Sequence, residues 1–346
     1  MSALDQPLLI ANCNYHVGHQ MSFRAAEEQG FFKQEGLADY VYESGGILPG
    51  PFEVAALPST MKERGIDIAT AVNIETVVQL RAKGEDVWAV GAWRHMPRVR
   101  LYGAPHIKSP ADLKGARVGE REAGGITALF FSYWLGKSGV DADKDVQWVH
   151  DQDFAYRRDR AHVDALLNGK VDAVQSGPPF SDELESKGCS LVLDSAQLYP
   201  GGKPGKVIVA SRRTVEERGD ELAAFLRANI RGFWFVRDPG NFEFLSDMEL
   251  RYRRASHNEQ ERKLRMVTNA AHLEEWIMPV TGWFTREALE RVIDEMVTLG
   301  QIEKPMAIEE FARDAAVVKA FEDLKNRPEQ KANAERALAA AAKHGC

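Results

Sequence analysis

Short apolar runs alternate with segments of helical periodicity along the first hundred residues, and this feature constrains the fold most. The apolar runs predict buried strands, and the periodic segments predict helices that each bury one face. Strands that alternate with helices favour a parallel, doubly wound α/β sheet. The predicted strands are 8–11, 40–42, 66–72 and 87–92, and the predicted helices between them are 21–36, 52–64 and 74–83.

The same alternation restarts near residue 100, which indicates a second unit of the same kind. A chain of 346 residues is also long for a single core and suits two domains. The second series predicts strands at 98–102, 117–119, 146–149, 172–175 and 191–194, with helices at 128–138 and 160–168. A strand at 207–211 then precedes predicted helices at 216–236, 243–257, 259–271 and 286–299.

Charge and composition exclude several classes of protein. The formal net charge is −7 and no long basic run occurs, which argues against a nucleic-acid partner. No stretch approaches the ~20 apolar residues of a membrane helix. The N-terminus lacks the basic and apolar regions of a secretory signal. We therefore expect a cytoplasmic protein as the sequence stands, or a periplasmic or lipid-anchored one if a signal has been removed.

The cysteines predict neither a disulfide framework nor a metal site. Cys13, Cys189 and Cys346 are odd in number and widely spaced. This usage fits a reducing compartment. No paired-cysteine or paired-histidine motif with metal-ligand spacing occurs, so we expect neither metal nor cofactor.

Five phrases of this sequence occur in the same order in one known family. They are AAEEQGFFKQEGL at 25–37, LRAKGEDV at 80–87, SPADLKGARVG at 109–119, ALLNGKVDA at 165–173, and the segment from Trp283-Phe284 through Pro305 to Phe311. In these phrases the chain resembles the substrate-binding proteins for sulfonates, nitrate, taurine and thiamine-precursor pyrimidines.

This resemblance implies a periplasmic-binding-protein type II fold, with two doubly wound lobes joined by a two-strand hinge. Lobe 1 would comprise residues 1–100 and 208–346, and lobe 2 residues 101–207. The crossing strands would lie near 98–105 and 205–211. A small ligand would bind in the cleft between the lobes, and hinge closure would follow.

The family that the chain resembles also includes enzymes. The aromatic sulfinate desulfinases carry a nucleophilic cysteine in an Asn-Cys pair just after the first strand, and this chain has Asn12-Cys13 there. The desulfinases also use a histidine and an arginine in the region that corresponds to 47–70. This chain departs from them there, because that region holds no histidine and Arg64 is its only arginine. The cysteine-rich iron motif of the pyrimidine synthases is absent.

Open α/β sheets bind ligands beyond the carboxyl ends of their strands, and this rule selects candidate residues without reference to any family. Cys13, His16 and His95 are candidates for catalysis, since a thiol beside a base can be a nucleophile. The ligand-binding candidates follow the predicted strands: Asn12, Asn14, Glu43, Ser44, Gly45, Gly46, Asn73, Arg94, Glu122, Gly124, Gly125, Thr127, Gly177 and Pro178.

Each of the stronger candidates has a structural alternative. The Gly124-Gly125 turn opens a helix and is either an anion site or a plain helix start capped by Thr127. Arg94 is either a bidentate clamp for a carboxylate or sulfonate, or part of a structural salt bridge. Cys13 is either a nucleophile or a small packing residue.

The sequence thus leaves three functions open. The favoured prediction is a binding protein for a small organic anion (a sulfonate, carboxylate or aromatic acid) that serves an ABC-type importer. The alternative is a cytoplasmic C–S or C–C lyase for an aromatic acid, of the desulfinase or decarboxylase kind, with Cys13 as candidate catalyst. A ligand-sensing module without transport or chemistry is the third.

Overall fold

The structure is a computed structural model, and it describes residues 6–13, 20–44, 56–96, 99–120, 126–150, 160–176, 180–253 and 280–342. Contacts divide the chain into two compact units. The first consists of Met1–Met96, Gly201–Ile293 and Lys304–Cys346, and the second of Pro97–Pro200 and Asp294–Glu303. The lobe limits expected from the sequence stay a prediction.

The first unit contains a five-stranded sheet in the order β2-β1-β3-β10-β4. Four strands are parallel, but β10 runs antiparallel to both neighbours. The doubly wound α/β sheet that the sequence predicts is confirmed, with one reversed strand among four parallel ones. The chain leaves this sheet after β4 and returns at the same end, where the Met96 amide donates to the Lys203 carbonyl, so β10 must run backwards. The strands are β1 (Leu8–Asn12), β2 (Tyr40–Ser44), β3 (Ile68–Asn73), β4 (Val87–His95) and β10 (Pro204–Ser211).

The second unit contains a sheet of the same design, in the order β7-β6-β8-β5-β9. Here β5 is the strand that runs antiparallel to its two neighbours, and it occupies the position of β10 in the first sheet. The strands are β5 (Arg100–Gly103), β6 (Arg117–Glu120), β7 (Gln147–His150), β8 (Ala173–Gln175) and β9 (Ser190–Asp194). Both units are thus mixed α/β layers with four parallel strands and one reversed strand.

Helices follow most strands, as the sequence periodicity predicts. Among the described residues they are α1 (Met21–Glu28), α2 (Phe31–Gln34), α3 (Leu57–Arg64), α4 (Ile74–Ala82), α5 (Ile126–Lys137), α6 (Arg160–Leu167), α7 (Ser181–Ser186), α8 (Arg212–Glu217), α9 (Gly219–Arg237), α10 (Phe242–Arg253), α11 (Arg286–Thr298), α12 (Ala315–Lys325) and α13 (Lys331–Ala342). The predicted helix at 259–271 lies outside the described residues.

Two helices that the sequence predicts as continuous are each broken once. The predicted helix 21–36 is interrupted at Gly30, whose φ of 68° is left-handed and therefore ends α1 before α2 begins. The predicted helix 216–236 begins in the last two residues of α8 and continues in α9. Arg218 lies between the two helices, and its φ of −122° is not helical.

Helix α9 forms the centre of the first unit's core. Its Phe225 packs against Phe23 of α1 and Phe32 of α2, and all three rings are buried. Gly232 allows the close approach of α1, because a Cβ there would lie 2.2 Å from the Ser22 carbonyl oxygen. Among the helices within the described ranges, none combines the length and apolar character that a membrane span requires.

Candidate functional site

The carboxyl ends of four strands of the first sheet meet at one edge, because β1 to β4 point the same way. The antiparallel β10 begins at this edge. The register places Asn12 opposite Thr70, and Lys206 between Asn73 and Arg94. We call this edge, defined by Asn12, Cys13, Asn73, Arg94 and Lys206, the first-sheet edge.

Asn12 and Cys13 are held to β3 by hydrogen bonds. The buried Asn12 side chain donates from Nδ2 to Thr70 Oγ1 over 2.9 Å. The Cys13 amide donates to the Thr70 carbonyl oxygen over 3.0 Å. The loop after β1 therefore begins from a fixed position, with a polar amide and a thiol next to each other.

The environment of the Cys13 thiol opposes ionisation. Burial raises the pKa of this thiol to about 12, and the nearby Lys206 ammonium lowers it only in part. A thiol with this pKa is almost entirely protonated near neutral pH, whereas a nucleophilic cysteine needs a lowered pKa. The surroundings of Cys13 therefore do not activate its thiol as a nucleophile.

Arg94 and Lys206 bring two positive charges together at neighbouring sheet positions. The pKa of Lys206 is lowered to about 8, first by burial and then by the Arg94 guanidinium, while Glu75 and Cys13 act in the opposite direction. Lys206 forms no ion pair or side-chain hydrogen bond with any residue in the described ranges. Two like charges held together in a partly buried position favour an anion between or above them.

A third cation lies close by and is already paired. Lys203 is buried, and its Nζ lies 3.3 Å from Glu75 Oε1. Glu75 belongs to the first turn of α4, where a carboxylate is also favoured by the helix dipole. The lysine and glutamate form an ion pair beside Lys206, and the Glu75 carboxylate also favours the ammonium form of Lys206.

Gly202 before β10 and Gly205 at its start allow this segment to lie directly on the end of β4. Gly202 has a φ of 90°, and a Cβ there would lie 3.0 Å from the His95 ring. A Cβ at Gly205 would lie 2.6 Å from the Met96 amide nitrogen. This close approach accompanies register shifts on both sides of Lys206, where β10 departs from regular pairing with β4.

The sequence places Arg94 and His95 in a loop after β4, and this placement is wrong. Both residues, like Trp93, belong to β4 and are buried. The hydrogen-bonded pairing with β10 extends the strand by three residues beyond the predicted end. The His95 ring is packed edge-on against Phe284, with 4.9 Å between ring centroids.

Glu43 and Ser44 are likewise the last two residues of β2 and not loop residues as predicted, since they pair with Ala11 and Asn12. The Ser44 hydroxyl donates to Oε1 of the buried Gln20 over 3.1 Å. Glu43 forms an exposed ion pair with Arg64. Ser44 thus continues the polar row of the first-sheet edge, whereas the Glu43 carboxylate is paired with an arginine of α3.

Several candidates from the sequence lie outside the described residues, so their roles stay predictions. They are Asn14, His16, Gly45, Gly46, Glu122, Gly124, Gly125, Gly177 and Pro178, and for Thr127 only its backbone, in the first turn of α5, is described.

In the second unit, Ser176 is a polar residue at the corresponding edge. It directly follows β8, is buried, and has a hydroxyl that finds no hydrogen-bond partner within the described ranges.

Sequence analysis did not select Lys203 and Lys206. The available signal was the glycine-rich segment Gly201-Gly202-Lys203-Pro204-Gly205-Lys206 immediately before an apolar strand. It was missed because the rule used there considers only the carboxyl ends of strands, and β10 presents its amino end to the same edge. No cluster of histidine, cysteine and carboxylate side chains suited to a metal occurs in the part of the chain that is described.

Solved structures with the same fold include binding proteins and an enzyme. The aliphatic sulphonate binding protein SsuA of Escherichia coli superposes with a TM-score of 0.62 at 16% identity, covering 89% of this chain and 97% of that one. SsuA of Xanthomonas axonopodis pv. citri, bound to MOPS, superposes with a TM-score of 0.55 at 16% identity, and the match covers 90% of this chain and 99% of that one. The desulfurization enzyme DszB superposes with a TM-score of 0.58 at 15% identity, and the match covers 91% of this chain and 99% of that one. These similarities show the periplasmic-binding-protein type II fold.

A sequence relative and a family model identify the family to which the chain belongs. The Bacillus subtilis (strain 168) protein named "Putative binding protein YtlA" is 26% identical over 207 residues, which are 59% of this chain and 58% of that protein. The match therefore spans about three-fifths of this curated relative. The model of the family described as NMT1/THI5 like matches residues 19–240, which is more than half of the chain. The chain belongs to the NMT1/THI5-like family.

Proposed function

We propose that this protein binds a small organic anion, a sulfonate or carboxylate, at the first-sheet edge, and that it serves as the solute-binding component of an ABC-type importer. The observation that carries the proposal is the pair Arg94 and Lys206, adjacent in register on β4 and β10. The importer role is supported by the fold, which is that of the sulfonate-binding proteins named above.

The chemistry of the first-sheet edge favours an oxyanion over a neutral or cationic ligand. An arginine presents a planar fork of N–H donors that matches a carboxylate or sulfonate, and a lysine adds a point charge. The Asn12 amide and the Ser44 hydroxyl add polar groups that orient the ligand along the edge. A bound anion would also raise the pKa of Lys206 towards its usual value, since the anion stabilises the ammonium form.

The lyase alternative receives no support from this geometry. A desulfinase-like reaction would need Cys13 as a thiolate, and burial holds the pKa of that thiol at about 12. We therefore expect a ligand to be bound and released unchanged. The variant Cys13→Ser should keep the affinity of the wild-type protein within about threefold, because it exchanges a thiol for a hydroxyl of similar size that also donates a hydrogen bond.

The test is a binding screen with aliphatic and aromatic sulfonates, carboxylates and sulfinates, followed by native mass spectrometry and calorimetry. We expect at least one sulfonate or carboxylate to bind and to be recovered with its mass unchanged. Lys206→Met should lower the affinity for that ligand by about tenfold or more, because it removes one charge-assisted hydrogen bond. The matched control is Lys62→Met, at an exposed position of α3.

Three results would overturn the proposal. The first is a screen in which no anion binds the wild-type protein. The second is a ligand whose affinity is the same in wild type and Lys206→Met. The third is conversion of a ligand to a lighter product that Cys13→Ser abolishes, which would establish the lyase instead.

A further inference from the structure

The first unit contains a cavity of about 670 Å³ that shares no residue with the first-sheet edge. It lies between the last turns of α9, the short helix α2 and the helix α13. A volume of roughly 300–1,000 Å³ is typical of small-molecule sites. This cavity is therefore large enough for a ligand, and the function proposed above makes no use of it.

The charged side chains of the cavity favour an anion. Arg231, Arg237 and Arg336 line it, and Asp238 is the single carboxylate among its lining residues. The chain as a whole has a formal charge of −7, so this local excess of arginine runs against the net charge of the molecule. Such a local concentration of one charge inside a concavity attracts ligands of the opposite sign.

The arginines are held in place by different partners. Arg231 donates from Nη1 to Glu35 Oε1 over 2.8 Å and from Nη2 to Gln34 Oε1 over 2.6 Å. Arg336 donates to Asn333 Oδ1 over 2.6 Å, and its Nη2 lies 4.0 Å from Asp238 Oδ2. A guanidinium has five N–H donors, so Arg336 keeps donors for a ligand after these contacts.

The remaining walls of the cavity combine aromatic and aliphatic side chains with the polar Asn241, Gln330 and Asn333. Phe31 and Phe235 meet edge to face with ring centroids 6.3 Å apart. The Arg231 guanidinium stacks over the Phe31 ring at 4.0 Å, and Ala337 and Ala339 of α13 complete the surface. Apolar walls with a few convergent polar groups are the usual composition of a small-molecule pocket.

We propose that this cavity is a second ligand site, which binds a small organic acid with an aromatic or aliphatic body. The acidic group would contact Arg336 at the mouth, and the apolar body would lie against Phe31 and Phe235. This inference does not depend on the function proposed for the first-sheet edge, because the two sites use different residues.

The test uses the fluorescent aryl sulfonate 1-anilinonaphthalene-8-sulfonate as the probe, titrated into the folded full chain. We expect saturable binding that Arg336→Glu weakens by about tenfold, because it reverses the charge at the mouth. Ala339→Trp should weaken it similarly, since Ala339 is exposed and a large ring there fills the cavity without entering the core. The matched controls on the same helix are Lys331→Glu and Ala332→Trp, which are exposed and do not line the cavity.

Lys206→Met is the third control and separates the two sites. The proposal holds if both cavity variants weaken binding of the probe in the Lys206→Met background, where the first-sheet edge has lost its lysine charge, while the two helix controls in that background do not. It is overturned if the wild-type protein does not bind the probe, if the cavity variants bind it as wild type does, or if Lys206→Met alone removes binding. Circular dichroism and thermal unfolding of each variant check that its helix content and stability match those of wild type.

Discussion

Lys206 carries its charge in a position where burial disfavours it. The pKa of this ammonium is lowered to about 8, first by burial and then by the Arg94 guanidinium. The folded protein therefore holds the proton of Lys206 less tightly than the unfolded chain does. A residue that lowers stability in this way is typical of a binding site, where function and stability favour different side chains.

At the residue scale we predict that Lys206→Met stabilises the protein at pH 7 by roughly 1–3 kcal/mol, because it removes the cost of a partly buried charge. Between about pH 8 and 10 the unfolded chain binds a proton that the folded protein has released, so wild-type stability should rise with pH in this window. The variant should lack that rise. Urea unfolding at several pH values measures both effects, and Lys62→Met should differ from wild type by no more than about 0.5 kcal/mol. A variant that is less stable than wild type and keeps the pH slope would contradict this account of Lys206.

At the element scale, the packing of α9 against α1 depends on the absence of a side chain at Gly232. A Cβ at this position would lie 2.2 Å from the Ser22 carbonyl oxygen and 3.2 Å from the Ala26 Cβ. We predict that Gly232→Ala destabilises the protein by about 3 kcal/mol, since the two helices must move apart. Gly219→Ala in the same helix is the control, because a Cβ there meets nothing within 4 Å, and its effect should stay within about 1 kcal/mol. Equal effects of the two substitutions in thermal unfolding would show that α1 and α9 do not need this close approach.

Glu35 joins two further segments of the first unit to the end of α2. Its buried carboxylate accepts hydrogen bonds from Arg227 and Arg231 of α9 and from Arg327 after α12. Burial opposes ionisation of Glu35, but the three guanidinium groups outweigh it and hold its pKa below the usual value. The stabilisation is therefore present above the unfolded-state pKa and is lost as the pH falls through the lower, folded-state pKa.

We predict that Glu35→Gln destabilises the protein at pH 7 by about 3 kcal/mol, because it leaves three partly buried guanidinium groups without their counter-charge. The difference from wild type should shrink as the pH falls below the usual pKa of a glutamate. Glu217→Gln, which breaks the exposed pair with Arg213, should cost no more than about 0.5 kcal/mol. Chemical unfolding at pH 7 and at acidic pH is the measurement. A constant difference across this range would mean that ionisation of Glu35 does not contribute.

At the scale of the whole molecule, the sequence predicts the existence of two α/β units but not the direction of every strand. The alternation of apolar runs and periodic segments identifies each strand of both sheets within a few residues. It carries no information on direction, so the reversed strands β5 and β10 were not foreseen. Periodicity also passes through Gly30 without a break, because one left-handed residue does not disturb the apolar pattern on either side.

The candidate site was predictable only in part, for a related reason. Asn12, Cys13, Asn73 and Arg94 were selected because they follow or end parallel strands. Lys206 was not selected, because it begins a strand and reaches the same edge only through the reversal of β10. The burial of Cys13 and the shifted pKa of its thiol depend on neighbours that are distant in sequence, such as Lys206. The sequence alone does not show that these residues lie together.

The charge of the whole molecule sets the last prediction. A protein with a formal charge of −7 repels an anionic ligand at long range, so binding relies on the local charge of Arg94 and Lys206. Lys206 loses its proton as the pH rises through about 8, while Arg94 stays charged.

We therefore expect the affinity for the anion found in the screen to fall by about tenfold between pH 7 and pH 10. Calorimetric titration across this range tests the expectation, and Lys206→Arg should keep its affinity at the higher pH because a guanidinium does not titrate there. If the wild-type affinity does not change with pH, or if Lys206→Arg loses affinity in parallel with wild type, the charge of Lys206 does not contribute to anion binding.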